Sequence, residues 1–130
     1  MWCVATGRRV HEDALVSQKG GCHCGAIAYE FEGEIGAVLD CNCSLCQKRG
    51  GLLHFIPAST FILKTARENL GTYKFNKHVI DHHFCLQCGI SPFSEGKGPG
   101  GETMVAINAR CVEDVDPREL DIRFFNGRDQ

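Results

Sequence analysis

At 130 residues the chain has the length of one domain, long enough to bury a hydrophobic core. Its 43% hydrophobic and 23% charged residues are ordinary for a soluble globular protein, and a formal net charge of −2 offers no positive field to nucleic acid or an acidic membrane. No run of about 18 apolar residues is present to span a bilayer, and Met1 to Arg9 lack the apolar stretch of a signal peptide. The chain is therefore read as cytoplasmic, with neither nucleic-acid nor membrane partners.

Residues 1–18 show no period and read as a flexible N-terminal extension; residues 19–130 read as a single domain. Ile27, Tyr29 and Phe31 alternate with Ala28, Glu30 and Glu32, which predicts a half-buried strand. Gly33 and Gly36 mark a turn, and Ala37-Val38-Leu39 runs as a short strand into Cys41. Ser44 to Arg49 fits one or two helical turns stopped by Gly50-Gly51. Leu52 to Ile56 is a strand closed by Pro57, followed by strands at Phe61-Ile62-Leu63 and Thr72 to Phe75. Val79 to Phe84 and Ile90 to Phe93 are the two arms of a hairpin bent around Cys85 and Cys88. Gly96 to Gly101 is a loop, Met104 to Ile107 a buried strand, Pro117 to Leu120 a turn and Ile122 to Phe125 a closing strand. Short strands, glycine turns and very little helix predict a mainly β fold.

Nine cysteines, an odd number, occur without an export signal, which favours reduced thiols over disulfides. Seven of them cluster as Cys22-His23-Cys24, Cys41-Asn42-Cys43-Ser44-Leu45-Cys46 and Cys85-Leu86-Gln87-Cys88. Tetrahedral zinc needs sulfurs about 2.3 Å from the metal and hence about 3.8 Å apart. A CxxC turn achieves that at a tight knuckle, here followed by Gly89, while residues two apart in an extended CxC project from one face. Two such pairs close a four-thiolate site. Three ligands from one short segment leave a fourth position open, the mark of a catalytic or ligand-exchanging ion.

Spacing alone does not decide the grouping. Cys22, Cys24, Cys41 and Cys43 could share one ion and leave Cys46 with Cys85 and Cys88. His23, His54, His82 or His83 could complete the second site, and an iron–sulfur cluster is a further use of so many thiolates. Cys3 and Cys111 are expected to be free thiols, Cys111 packed in the core.

The segments Gly21-Cys22-His23-Cys24-Gly25, Cys41 to Cys46 and His83-Phe84-Cys85-Leu86-Gln87-Cys88-Gly89 occur in that order. Together with Asn108-Ala109-Arg110-Cys111 and Val115-Asp116-Pro117 they resemble the glutathione-dependent formaldehyde-activating enzyme family, which includes centromere-protein-V-like proteins. The resemblance covers about residues 19–127. It implies a β-tent of short antiparallel sheets with a zinc knuckle and two zinc ions. It implies that Cys22, Cys24, Cys85 and Cys88 hold a structural zinc. Cys41, Cys43 and Cys46 would hold the catalytic one.

The activity so implied is that of a carbon–sulfur lyase handling a small thiol, glutathione, and its adduct with an aldehyde such as formaldehyde. Arg110, Asn108 and Lys48 are possible partners for a substrate carboxylate. The competing expectation is a non-catalytic, zinc-stabilised module that captures a thiol, a peptide or a protein, since no acid or base is recognisable beside the CxCxxC segment.

Overall fold

Tyr29 and Phe31 in the second strand, and Ile27 just before it, are each 1% exposed while Ala28, Glu30 and Glu32 face outward, the expected alternation. The computed structural model describes residues 17–74 and 79–129. Within them β1 (Ser17–Gly21), β2 (Ala28–Glu32) and β5 (Phe61–Leu63) form an antiparallel three-stranded sheet. The others are β3 (Val38–Cys41), β4 (Leu53–Pro57), β6 (Leu70–Tyr73), β7 (Ile80–Cys85), β8 (Phe93–Lys97), β9 (Thr103–Asn108) and β10 (Ile122–Phe125). These make a seven-stranded sheet in the order β10-β3-β4-β9-β8-β7-β6. One α-helix, α1 (Ser44–Arg49), and several single 3-10 turns complete the described residues. No helix among them is long and apolar enough to cross a membrane.

The chain is mainly β, as expected, and its sheets are antiparallel except at one edge. There β10 runs parallel to β3, with Phe125 opposite Cys41. β1 begins at Ser17, two residues before the expected domain boundary, and pairs along its length with β2. Residues 1–16, with Cys3, and Phe75 of the strand expected over 72–75 lie outside the described residues. The loop expected from Gly96 starts two residues later. Gly96 and Lys97 continue β8 because they pair with Met104 and Thr103 of β9, and the turn closes at Gly98.

The two sheets meet through aromatic side chains. Tyr29 of β2 packs on Phe61 and Phe93 with ring centroids 5.3 and 5.8 Å away, and Phe61 and Phe93 are 4.8 Å apart. Val105, Ile107 and Ile56 complete this core. Such rings each bury a large apolar area and favour tilted contacts at these distances. The Tyr29 hydroxyl, deep in the core, donates to the Pro92 carbonyl at 3.3 Å. Burial in β9 differs from expectation: Val105 and Ile107 are fully buried, but Met104 and Ala106 face a cleft on the sheet's other side.

A polar network pins β6, β7 and β8. His83, 4% exposed, places Nε2 at 2.7 Å from Glu95 Oε1 and Nδ1 at 2.9 Å from Thr72 Oγ1. Arg67 donates to both Glu95 oxygens at 3.2 and 3.0 Å. The hydrogen bond to His83, and then Arg67, hold the Glu95 carboxyl down at about 2.

Candidate metal centres

β1 ends at Gly21, so Cys22 and Cys24 follow it directly, and β7 ends in Cys85 with Cys88 in the turn beyond. The sulfurs of Cys22, Cys24, Cys85 and Cys88 all lie within 4.8 Å of one another. Cys24 Sγ is 3.7 Å from Cys22 Sγ and 3.6 Å from Cys85 Sγ, close to the spacing a tetrahedral thiolate site requires. Backbone N–H groups point at these sulfurs: Ile27 at Cys22 (3.3 Å), and Gln87 and Cys88 at Cys85 (3.3 and 3.4 Å). Gly89 takes φ of 81°, the left-handed conformation that closes the knuckle and that a side chain would strain.

Electrostatics set Cys24 against Cys85 and Cys88. The Ile90 N–H brings Cys88 down to about 6, and the Cys88 N–H lowers Cys85. The Ala26 N–H acts to lower Cys24, but burial and the Cys85 and Cys22 sulfurs win and raise it to about 11. Four thiolates this close cannot all ionise unless a cation sits among them. The donor set and its spacing fit a metal ion.

The second group is local. Cys41 ends β3, Cys43 caps α1 and Cys46 lies in its first turn; their sulfurs also fall within 4.8 Å of one another. Cys46 N–H donates to Cys43 Sγ at 3.3 Å and Cys43 N–H to Cys41 Sγ at 3.4 Å. Burial acts to raise Cys43, but the N–H groups of Cys46 and Leu45 outweigh it and lower the thiol. Cys46 moves the other way, raised by burial and by the Cys43 and Cys41 sulfurs. The helix stops at Gly50, whose N–H bonds the Cys46 carbonyl at 2.8 Å. This group can also hold a metal ion, with three protein ligands rather than four.

The spacing-based alternatives do not correspond to this geometry. Cys22 and Cys24 lie with Cys85 and Cys88, not with Cys41 and Cys43, and neither group contains a histidine among the described residues. His54 packs against Phe31 at 5.8 Å, and burial holds its pKa down. His83 is engaged by Glu95 and Thr72, and His23 and His82 line the cleft. Cys111 is half-buried, and burial raises its thiol to about 11.

A cleft of about 1150 Å³ has Cys41, Cys43 and Cys46 in its wall, with Cys22 also reaching it. Of the three polar residues expected near a substrate, Arg110 and Asn108 line this cleft and Lys48 does not. Asn108 is occupied structurally: Oδ1 accepts from Leu52 and Arg110 N–H groups at 3.3 and 3.1 Å, and Nδ2 donates to Ser91 O at 3.1 Å. Arg49, which sequence reasoning missed, lines the cleft and donates to Ser91 Oγ at 2.7 Å. Its position three residues after Cys46 on a helix was the available signal.

The C-terminal segment braces the three-cysteine group. Asn42 N–H bonds Phe125 O at 3.2 Å; Arg128 donates from N and Nε to Asn42 Oδ1 and O at 3.1 and 2.9 Å, and from Nη2 to Gln47 Oε1. A β-carbon at Gly127 would lie 2.5 Å from Cys41 Sγ and 3.2 Å from Cys43 Cβ. Gly127→Ala should therefore displace the Cys41 sulfur and weaken the binding of a metal ion at this group about 10- to 100-fold, as supporting-residue changes do. Competition with a chromogenic chelator, counting both equivalents, checks this. Equal affinity in the variant would show that the segment does not position the sulfurs.

A model of the glutathione-dependent formaldehyde-activating enzyme family matches residues 17–127. Among solved structures, a Rhodobacter sphaeroides protein is similar with a TM-score of 0.68 and 29% sequence identity, over 81% of this chain and 99% of that one.

Proposed function

The chain belongs to the glutathione-dependent formaldehyde-activating enzyme family, and from that premise we propose that it joins a small thiol, glutathione, to a small aldehyde at the cleft wall formed by Cys41, Cys43 and Cys46. The reaction is R–SH + H₂C=O ⇌ R–S–CH₂OH. One carbon–sulfur bond forms, the thiol proton finishes on the former carbonyl oxygen, and nothing is oxidised. In the reverse direction it is a carbon–sulfur lyase step. The observation that carries this reading is a three-sulfur group opening on a substrate-sized cleft, beside a separate four-sulfur group.

Both groups suit zinc, because they are all-sulfur sets with every sulfur within 4.8 Å of the others in its group. Cys22, Cys24, Cys85 and Cys88 would hold a structural ion and Cys41, Cys43 and Cys46 the catalytic one. Bound there, zinc would supply the positive charge that keeps an incoming sulfur ionised at neutral pH. A free thiol with a pKa of about 8.5 is roughly 3% ionised at pH 7, so full ionisation is worth about thirtyfold at most. The larger share falls to the cleft, which holds the two reactants together. Arg49 and Arg110, both in its wall, present guanidinium groups suited to the glutathione carboxylates. The Cys46 N–H on Cys43 and the Asn42–Arg128 brace keep the three sulfurs convergent.

Magnetisation-exchange NMR on an equilibrium mixture of glutathione, formaldehyde and the adduct tests the proposal. The metal-loaded protein should speed exchange at least about tenfold over the spontaneous rate. An unchanged rate with retained glutathione binding would make the protein a thiol-binding module instead.

A further inference from the structure

The outward face of the seven-stranded sheet is built for more than a one-carbon group. Strand register places Phe55, Ala106, Ser94 and His82 side by side across β4, β9, β8 and β7. The next row is Met104, Gly96 and Ile80. The alternate residues Ile56, Val105, Ile107 and Phe93 point the other way into the core. Small side chains at Ala106, Ser94 and Gly96 thus form a floor. Phe55 and Met104 stand on one side of it, Ile80 and His82 on the other. Phe55 is 49% and Ile80 41% exposed, so these walls present apolar surface to solvent.

This trough is continuous with the three-cysteine group, since both line one cleft of about 1150 Å³. Arg49 stands between them. It follows Cys46 by one helical turn, bonds Ser91, and lies near enough to His82 for its charge, after burial, to help hold that imidazole's pKa down. A cleft this large matches or exceeds those that enclose whole drug-sized ligands. The hydroxymethyl carbon of a formaldehyde adduct needs almost none of it.

We propose that the trough binds an apolar carbon chain carried on the sulfur of the thiol adduct, so that the site serves thiol conjugates of longer, apolar aldehydes. This rests on the thiol–aldehyde reading above and names its substrate class. The chemistry is unchanged: the thiol sulfur bonds the aldehyde carbon, and the thiol proton ends on the oxygen. The chain of an R–CHO substrate runs from that carbon over Ala106 and Ser94 between Phe55 and His82. Burying each methylene there replaces water against the walls.

Stable thioethers test this without turnover. Calorimetric titration of the metal-loaded protein with S-methyl-, S-butyl- and S-hexylglutathione should show affinity rising about two- to fourfold per methylene. S-hexylglutathione should then bind at least about thirtyfold more tightly than S-methylglutathione. In Ala106→Leu, which fills the floor, that ratio should fall below about threefold, with thermal unfolding used to establish that the variant is folded. A flat series in which S-methylglutathione still binds overturns the trough and leaves the thiol reading standing. So does a chain-length gain that survives Ala106→Leu. A concentration-dependent dimer that Ala106→Leu abolishes would assign the trough to a second copy of the chain and overturn the proposal. If neither glutathione nor any conjugate binds, the thiol reading fails and the trough proposal with it.

Discussion

Cys88→Ser is expected to lose at least about 4 kcal/mol of stability, a fall in Tm of more than about 12 °C for a domain of this size, or to accumulate unfolded. The four sulfurs tie the end of β1, in the three-stranded sheet, to the end of β7, in the seven-stranded one; Cys24 and Cys85 are 61 residues apart in sequence. Cys85 is 1% exposed and belongs to the main core, with Cys22 and Cys88 packed against it. A structural zinc held by four such sulfurs would contribute on the order of 10–16 kcal/mol to folding, as much as the whole net stability of an ordinary domain. Serine oxygen is a poor ligand for a soft thiolate site, so most of that contribution is lost with one sulfur. Those that remain, Cys85 above all, would then be left in the core without a cation to balance them. Circular dichroism melts and metal counting per chain check this. A variant that melts within about 3 °C of the parent and keeps two equivalents would show that Cys88 is not a ligand.

The local half of this molecule was legible in its sequence and the non-local half was not. Ile27, Tyr29 and Phe31 announced β2 because a period of two registers on one strand alone. β1 gave no such signal: Gln18-Lys19-Gly20-Gly21 has weak strand propensity and is held by its pairing with β2 and a bridge from Gly20 to Val112. The closing strand β10 was visible, but its parallel partner β3 was not, because a residue pattern does not reveal which edge a strand joins. The apolar run Met104 to Ile107 read as wholly buried. Only alternate residues are, since the opposite face forms the cleft.

The candidate site divides in the same way. CxC, CxxC and CxCxxC are local spacings and marked all seven clustered cysteines, yet spacing left their grouping open; the family resemblance implied it, and the fold brings Cys24 to Cys85. The brace from Arg128 to Asn42 spans 86 residues and has no local signature. Gly127 resembles any turn glycine until the Cys41 sulfur is found against it.

Cys46→Ser should show the opposite behaviour to Cys88→Ser: loss of one metal equivalent and of the accelerated thiol–aldehyde exchange, with the fold retained. α1 buries no residue, and its cap uses the Cys46 backbone N–H and carbonyl, both of which serine keeps. The helix therefore still forms with Cys43 at its cap, and Cys41 stays at the end of β3. Two sulfurs are too few for a stable open site, so affinity there should drop by about a thousandfold or more. The four-sulfur ion should remain. Against the parent protein stripped of its labile ion by mild chelation, the variant should unfold within about 1 kcal/mol, because only the ion's own linkage to the native state distinguishes them from the loaded protein. Exchange should return to the spontaneous rate. Were the second equivalent to survive in Cys46→Ser, the third ligand would lie elsewhere. Were the ion lost but the acceleration kept, the cleft alone would carry the reaction, and Arg49 and Arg110 rather than the three sulfurs would be its working residues.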